Sequence, residues 1–310
     1  MIFTVNELEK IEQIVQAEEF ILLKQFENSE TRIQNFSQKY TSVLMLSADK
    51  LKHLNKLNDV EAEAIILNLE DGVSPQNKKR ALRLCGLFLS KVQKTDKKII
   101  VRVNAFSEGA KEEILFLNQY KPDAIRIPKI ETKEEVELAL NLIDESIEVH
   151  LSIETAQAWL NLKELKINPR VTTFYLGVLD LFADMNLPHE LLTPKNPLVS
   201  QLLSQFLLIS CALGVKPVSF VYQDYKNETE FKEYLELEKN LGFKSKGCVS
   251  PTQAKIVNEF FSSDNDAITR AKEIIKVFEY HAKNGITGFS DDKYGFIDEP
   301  IYKASLNLVK

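Results

Sequence analysis

The sequence predicts an α/β fold: a single (β/α)8 TIM barrel with an N-terminal helical extension and a C-terminal helix plus lid-like tail. Three observations predict it. Short apolar or β-branched runs alternate with amphipathic stretches about eight times. Most of these runs are nearly continuously apolar, as strands covered on both faces of a parallel sheet must be. Charged residues then fall at the C-terminal ends of the runs, the face on which such barrels carry their chemistry.

The expected strands are Ser42 to Leu46, Ala64 to Leu69, Ile99 to Val103, Ala124 to Ile127, Ile147 to Ile153, Thr172 to Leu176, Val218 to Val221 and a weaker Gly247 to Val249. Between them lie segments such as KEEVELALNLIDE (133–145) and ETEFKEYLELEKNLG (228–242). Their apolar residues recur at three and four, and the second ends in Gly242, a helix C-cap. No Gly-rich phosphate loop follows the first strand, which excludes the dinucleotide-binding open sheet. The barrel is assigned to 41–262. Residues 1–40 read as one or two polar amphipathic helices. Residues 263–310 read as a helix and a Gly-, Asp- and Pro-bearing tail, and both additions are too short to bury a core of their own.

Composition narrows the class further. With 310 residues, 44% of them hydrophobic and 27% charged, the chain can bury one large interior. The net charge of −6 is interleaved along the chain, so no basic stripe is available to nucleic acid. Glutamates interrupt the apolar residues of MIFTVNELEKIEQIVQ, so the reading expects no signal peptide, no membrane partner and a cytoplasmic protein. Cys85, Cys211 and Cys248 are far apart and odd in number, and are read as reduced thiols outside any disulfide or zinc site.

The strand ends carry the functional signal. The second run leads into Glu70 and Asp71, the third carries Arg102 and Asn104, the fourth ends in Pro128 and Lys129, the fifth in Glu154, and the sixth in Gly177 followed by Asp180. Any one of these is also what the start of a solvated loop supplies. Five in succession would bring together charges that are costly to bury unless paired or bridged by a cation. Oxygen donors without His or Cys point to Mg2+ or Mn2+, with Glu154 and Asp180 as the ligand pair. Of the histidines, His53 and His281 lie on helix patterns, His189 in a loop and His150 inside the fifth strand, none placed as a ligand.

These segments resemble the HpcH/HpaI aldolase superfamily, in its branch of citrate lyase beta subunits and malyl-CoA lyases. The matching stretches run from Ser42 to Ala304: SADKLKHLNKL, LEDGVSPQNK, VRVNA, IPKIET, IETAQAW, LGVLDLFADMNL, LGFKSKGCVSPTQ and FIDEPIYKA. The resemblance implies that Glu154 and Asp180 bind Mg2+, and that Arg102 with the metal polarises an oxygen of a short oxoacid or acyl-CoA. It implies that Glu70 and Asp71 order the waters around the metal, and that Asp298 of IDEP reaches a neighbouring subunit's mouth as an acid/base in trimers or multiples of trimers. Making or breaking a carbon–carbon bond beside a thioester produces an enolate, which needs a fixed cation and a proton-moving group.

Several positions depart from the family pattern. Thr41, Ser47-Ala48, Ala158, Leu179, Ser219, Ser245-Lys246 and Ser250-Pro251 stand where other residues are usual. An alanine at 158 in place of glycine is expected to close space beside a substrate carboxylate. Citrate or malate specificity is therefore not carried over. A CoA-independent pyruvate or oxoacid aldolase, or an altered barrel with an accessory or regulatory role, remain as alternatives. Lys129 and Asn104 are placed among the substrate contacts. Lys50 and Lys52 read as solvated lysines or as contacts to CoA phosphates. The apolar stretch NPLVSQLLSQFLLISCALG fits core packing or a subunit interface.

Overall fold

The computed structural model describes residues 2–262 and 265–309. The chain forms two compact units, Met1–Asn258 and Glu259–Lys310. In the first, eight parallel strands stand in the order β7-β6-β5-β4-β3-β2-β1-β8. They are β1 Ser42–Ser47, β2 Ala64–Asn68, β3 Lys98–Arg102, β4 Ala124–Ile127, β5 Glu148–Ile153, β6 Val171–Leu176, β7 Lys216–Val218 and β8 Lys246–Cys248. The seam between β7 and β8 is narrow: Ser219 bridges Lys246, with Gly247 N donating to Ser219 O and Ser219 N to Ser245 O, each at 3.0 Å. This is the (β/α)8 barrel.

The last two strands begin earlier than their apolar letters suggest. β7 ends at Val218 instead of continuing to Val221, because beyond the single bridge at Ser219 the chain folds Val221 over β8. A Cβ on Gly247 would stand 2.7 Å from Val221 Cγ2. β8 likewise starts at Lys246, whose charge hid it from an apolar search. Its ammonium is buried against Glu238 at 2.6 Å, and Glu238 also accepts from Ser219 Oγ at 2.5 Å. Three residues at or beside positions that depart from the family pattern thus close the barrel.

In a parallel ladder, registered partners face the same side. One unbroken series of partners runs Ser47, Asn68, Arg102, Arg126, His150, Thr173, Lys216. This row faces the lumen, interleaved with the apolar cluster of Val43, Ile66, Ile100, Tyr175 and Val218. The barrel interior is therefore half polar, where side chains of Val, Ile and Leu are the usual filling.

The first 40 residues supply the N-terminal floor. Helix Val5–Gln16 starts at a Thr4–Glu7 capping box and a 3-10 segment follows at Phe20–Phe26, and the chain then crosses the strand starts without helix. Arg32 grips Asp123 through two bonds of 2.7 Å. Gln38 donates to Glu148 at 2.9 and 3.0 Å, and Lys98 pairs with the same carboxylate at 2.9 Å. The extension is thus one helix and a polar strap that satisfies buried carboxylates, where two helices were a possible reading.

The second unit holds helix Asn265–Ala282, a hairpin of β9 Gly288–Asp291 and β10 Gly295–Asp298, and helix Glu299–Val309. The expected tail is thus a hairpin and a helix. Asp291 Oδ1 accepts from the amides of Lys293 and Tyr294, and Gly295 takes the left-handed φ of 75° that completes the turn. Ile274, Phe278 and Ile297 form its core. The apolar helix Pro197–Ala212 buries Val199, Leu203 and Phe206 in the first unit. Among the described residues no helix is long and apolar enough to cross a membrane.

His150 makes the floor pH-sensitive. Burial pushes its imidazole down to about 4 against the hydrogen bond to Glu148, so at neutral pH it is uncharged and Glu148 pairs with Lys98. The unfolded chain takes up this proton near pH 6.5 and the folded chain only near 4. Stability should fall as pH drops through that window, by up to about 3 kcal/mol. Urea midpoints between pH 7.5 and 4.5 should show this slope in the wild type and a flatter one in His150→Gln.

Candidate active site

Arg102, at the end of β3, is the centre of the mouth. Its Nη2 pairs with Glu70 from β2, lies 3.3 Å from Glu154 Oε2 beyond β5 and 3.9 Å from Asp71. Glu70 and Glu154 are 1% exposed, Asp71 is 62% exposed at its side chain, and only the buried two depend on the arginine for neutralisation. The turn after β2 is shaped locally: Asn68 Oδ1 accepts from Glu70 N at 3.1 Å, and Val73 N closes back on Glu70 O at 2.8 Å.

Glu154 is held from two further sides. Lys129 N donates to Glu154 Oε1 at 2.9 Å, an aim achieved by a left-handed φ of 53° at Lys129, the kind of backbone strain retained at functional sites. On the other side, a Cβ on Gly177 would stand 2.5 Å from Glu154 Cβ and 2.7 Å from its Oε2. Only glycine lets the end of β6 pass this carboxylate. Asp180 follows in the first turn of helix Val178–Asp184.

Glu154, Asp180, Asp71 and Arg102 line one cavity of about 350 Å³, so four of the expected site residues meet. Lys129 approaches through its amide, with its Nζ 3.8 Å from Glu70. Asn104 is not at the cavity: it donates to Glu113 and Leu69 O and accepts from Lys78 Nζ, and Lys78 in turn holds the carbonyls of Leu69 and Glu70. It braces the turn from behind. Lys50 pairs with Asp49 at 3.2 Å and is 56% exposed, in a separate cleft with Lys52, His53 and Arg80. Asp298 lies in the second unit, where its carboxylate accepts from Ile301 N at 3.1 Å and caps the last helix.

Among the polar cavity residues, Asn68, Arg126 and Gln223 were not singled out from sequence. The signal was present as alternation: in AIRI the arginine occupies the inward phase of the strand. Among the departures, Leu179 lines the cavity, joining Met45, Phe220, Val221 and Val249 in an apolar wall. Ala158 does not line it. It is fully buried, with its amide capped by Thr155 Oγ1, so the expectation that it narrows a substrate subsite is corrected. Ser250 caps the following helix by accepting from Gln253 N.

The donor set fits a hard divalent cation. Four carboxylates, Glu70, Asp71, Glu154 and Asp180, gather with three cations, Arg102, Arg126 and Lys129, and the excess of negative charge is visible on the acids. Burial, then the charges of Glu154 and Asp71, push the Asp180 carboxyl up. Burial likewise raises Glu70 to about 7, beyond the opposing effect of Arg102 and with help from Glu154 and Asp71. Among the described residues no three acidic, His or Cys side chains form a closed cage. Mg2+ is commonly held by one or two carboxylates, with waters and substrate oxygens completing its shell.

Comparison with known proteins agrees with the fold. The HpcH/HpaI aldolase/citrate lyase family matches residues 41–251. The chain belongs to this family. It is 30% identical over 247 residues to a (3S)-malyl-CoA thioesterase of Cereibacter sphaeroides, covering 79% of this chain and 85% of that one. It is 26% identical over 286 residues to the mitochondrial citramalyl-CoA lyase of Homo sapiens, covering 86% and 84%. The fold matches that of CitE from Mycobacterium tuberculosis, solved in complex with magnesium, acetoacetate and coenzyme A, with TM-score 0.69 and 18% identity over 88% of this chain and 98% of that one.

Gly177 gives the arrangement a direct test. Gly177→Ala should leave the unfolding transition cooperative while displacing Glu154, lowering Mg2+ affinity by at least about ten-fold on loss of a well-placed ligand. Isothermal titration with MgCl2 measures it. Unchanged affinity would mean that Glu154 is not a ligand.

Proposed function

We propose that this chain is a Mg2+-dependent carbon–carbon lyase that cleaves or forms a short 3-hydroxyacyl-CoA thioester through an enolate. The observation that carries the reading is the convergence of Glu154 and Asp180 on one cavity, with Arg102 fixing Glu154 from behind. Names of relatives support the substrate class, since malyl-CoA and citramalyl-CoA are both short hydroxyacyl thioesters.

Glu154 and Asp180 would hold the metal, which when bound supplies positive charge to oxygens that become negative during the reaction. This chain's own residues do the rest. Arg102 and the Lys129 amide keep Glu154 in one orientation, so little reorganisation is needed at the moment of reaction. The wall of Leu179, Phe220, Val221 and Val249 excludes water from one side of the cavity, which strengthens every charge interaction inside it. Asp71, exposed at the rim, is placed to order solvent. The reading includes a cytoplasmic homo-oligomer of trimeric order in which Asp298 serves a neighbouring mouth, as the family resemblance implies.

A second reading, thioester hydrolysis on the same site, is favoured by the relatives at 30% identity that carry a thioesterase name. Products separate the two. With malyl-CoA or citramalyl-CoA and Mg2+, a lyase yields a shorter acyl-CoA and a 2-oxoacid, whereas a thioesterase yields free CoA and the hydroxydiacid. We expect turnover that is abolished by EDTA and lowered at least about 10³-fold in Glu154→Gln. No turnover of either thioester by protein that still binds Mg2+ would sink both enzymatic readings in favour of an accessory role.

A further inference from the structure

Five lysine or arginine side chains are buried among the described residues: Arg32, Lys98, Arg102, Arg126 and Lys246. Four have a carboxylate partner: Asp123, Glu148, Glu70 with Glu154, and Glu238. Arg126 alone has none within 4 Å. A buried cation without a counter-charge is costly, and proteins keep one only where a partner arrives from elsewhere.

The fixed contacts of Arg126 leave its outer edge free. Nε donates to Ser152 Oγ at 2.8 Å, and the guanidinium carbon lies 4.2 Å from the centre of the Tyr175 ring. Both contacts orient the plane without neutralising it. The terminal nitrogens make no hydrogen bond to any described residue, and the side chain, 5% exposed, lines the cavity that holds Glu154 and Asp180. Asn68 stands in the same lumen row, separated from Arg126 by Arg102. Its Oδ1 is occupied by Glu70 N, while its Nδ2 donates to no described group and the residue lines the same cavity.

We infer that Arg126, assisted by Asn68, is a carboxylate subsite in the depth of the cavity that receives the acid group of a small 2-oxoacid. Arg102 cannot take this role while it neutralises Glu70 and Glu154; a substrate anion placed on it would compete with two buried acids. Arg126 offers the opposite balance, a fixed planar fork whose two terminal nitrogens match a carboxylate. The height is also suitable. Ser152 lies in β5 two residues before Glu154, about 6.6 Å lower at roughly 3.3 Å per residue, and the arginine side chain shortens that gap by reaching across the lumen. In a 2-oxoacid the oxo carbon adjoins the carboxylate, so an acid held by Arg126 keeps its oxo oxygen in the cavity that Glu154 and Asp180 line. Arg126 is thus a binding and specificity residue, deepening the proposed lyase reading on which the choice of an oxoacid rests.

The test compares pyruvate with pyruvamide, which keeps the shape and removes the charge, by isothermal titration into the full-length wild type, Arg126→Met and Arg126→Lys, with Mg2+ and with EDTA. We expect the wild type to prefer pyruvate by at least ten-fold in Mg2+. Arg126→Met should lose ten-fold or more in pyruvate affinity and all of that preference while still binding Mg2+, and Arg126→Lys should keep part of it. If Arg126→Met does not fold, the wild-type pyruvate to pyruvamide ratio and its reduction in Arg126→Lys decide the matter. Pyruvate binding that is equal in wild type and variants, or no wild-type preference for the acid, overturns the subsite. Mg2+-dependent cleavage of a hydroxyacyl-CoA alongside that result would leave the lyase reading standing. An Arg126-dependent preference without any thioester turnover would leave the subsite standing and remove the lyase.

Discussion

The mouth of this barrel depends on one guanidinium. Arg102 joins Glu70 from β2 to Glu154 beyond β5, both of them carboxylates that are 1% exposed. Without it, two negative charges would remain in a poorly solvated space, at a cost of about 3–5 kcal/mol for breaking such a buried pair. Gly177, the twisted backbone of Lys129 and the brace of Lys78 and Asn104 all serve the geometry that this ion pair sets. Arg102, expected from sequence to polarise a substrate oxygen, also fixes the position of Glu154.

The same rule of paired burial holds around the rest of the barrel. Below the site, Lys98 meets Glu148, and Arg32 meets Asp123 through the strap that precedes β1. At the seam, Lys246 meets Glu238, with Ser219 completing the carboxylate's shell. Lys98 and Glu148 stand where apolar filling is usual in such barrels, Arg32 ties the N-terminal strap to residue 123, and Lys246 ties the last strand to the helix before it. They also explain why several departures from the family pattern do not crowd the cavity. Ser219 and Lys246 serve closure, Ser250 caps a helix and Ala158 is fully buried outside the cavity lining. Only Leu179 changes the cavity wall itself, turning one side of the site apolar.

Much of this was legible in the sequence. The eight strands, their order and the delivery of acids and an arginine to successive strand ends follow from period and punctuation, because a strand covered on both faces must be apolar and must end where polarity begins. Glu154, Asp180, Asp71 and Arg102 are brought to one cavity as that reasoning requires. The reading failed where charge lies inside a strand. Lys98, Arg126, Lys216 and Lys246 look like loop residues to a hydropathy argument, so β3, β7 and β8 were drawn late and Arg126 was passed over.

What the sequence determined by itself was the alternation, the family motifs and the identity of the acids. Tertiary structure alone decided which charges cancel. A carboxylate of residue 70 and one of residue 154 become partners of the same arginine only once the sheet is curved and closed, and Asn104 and Lys50 turn away from the cavity for reasons set by Glu113 and Asp49. Whether a cation is spent or free depends on distances of a few ångströms between strands far apart in the chain, and Coulomb energy in a buried site changes steeply over that range. That is why Arg102 and Arg126, register partners on adjacent strands, have different electrostatic roles.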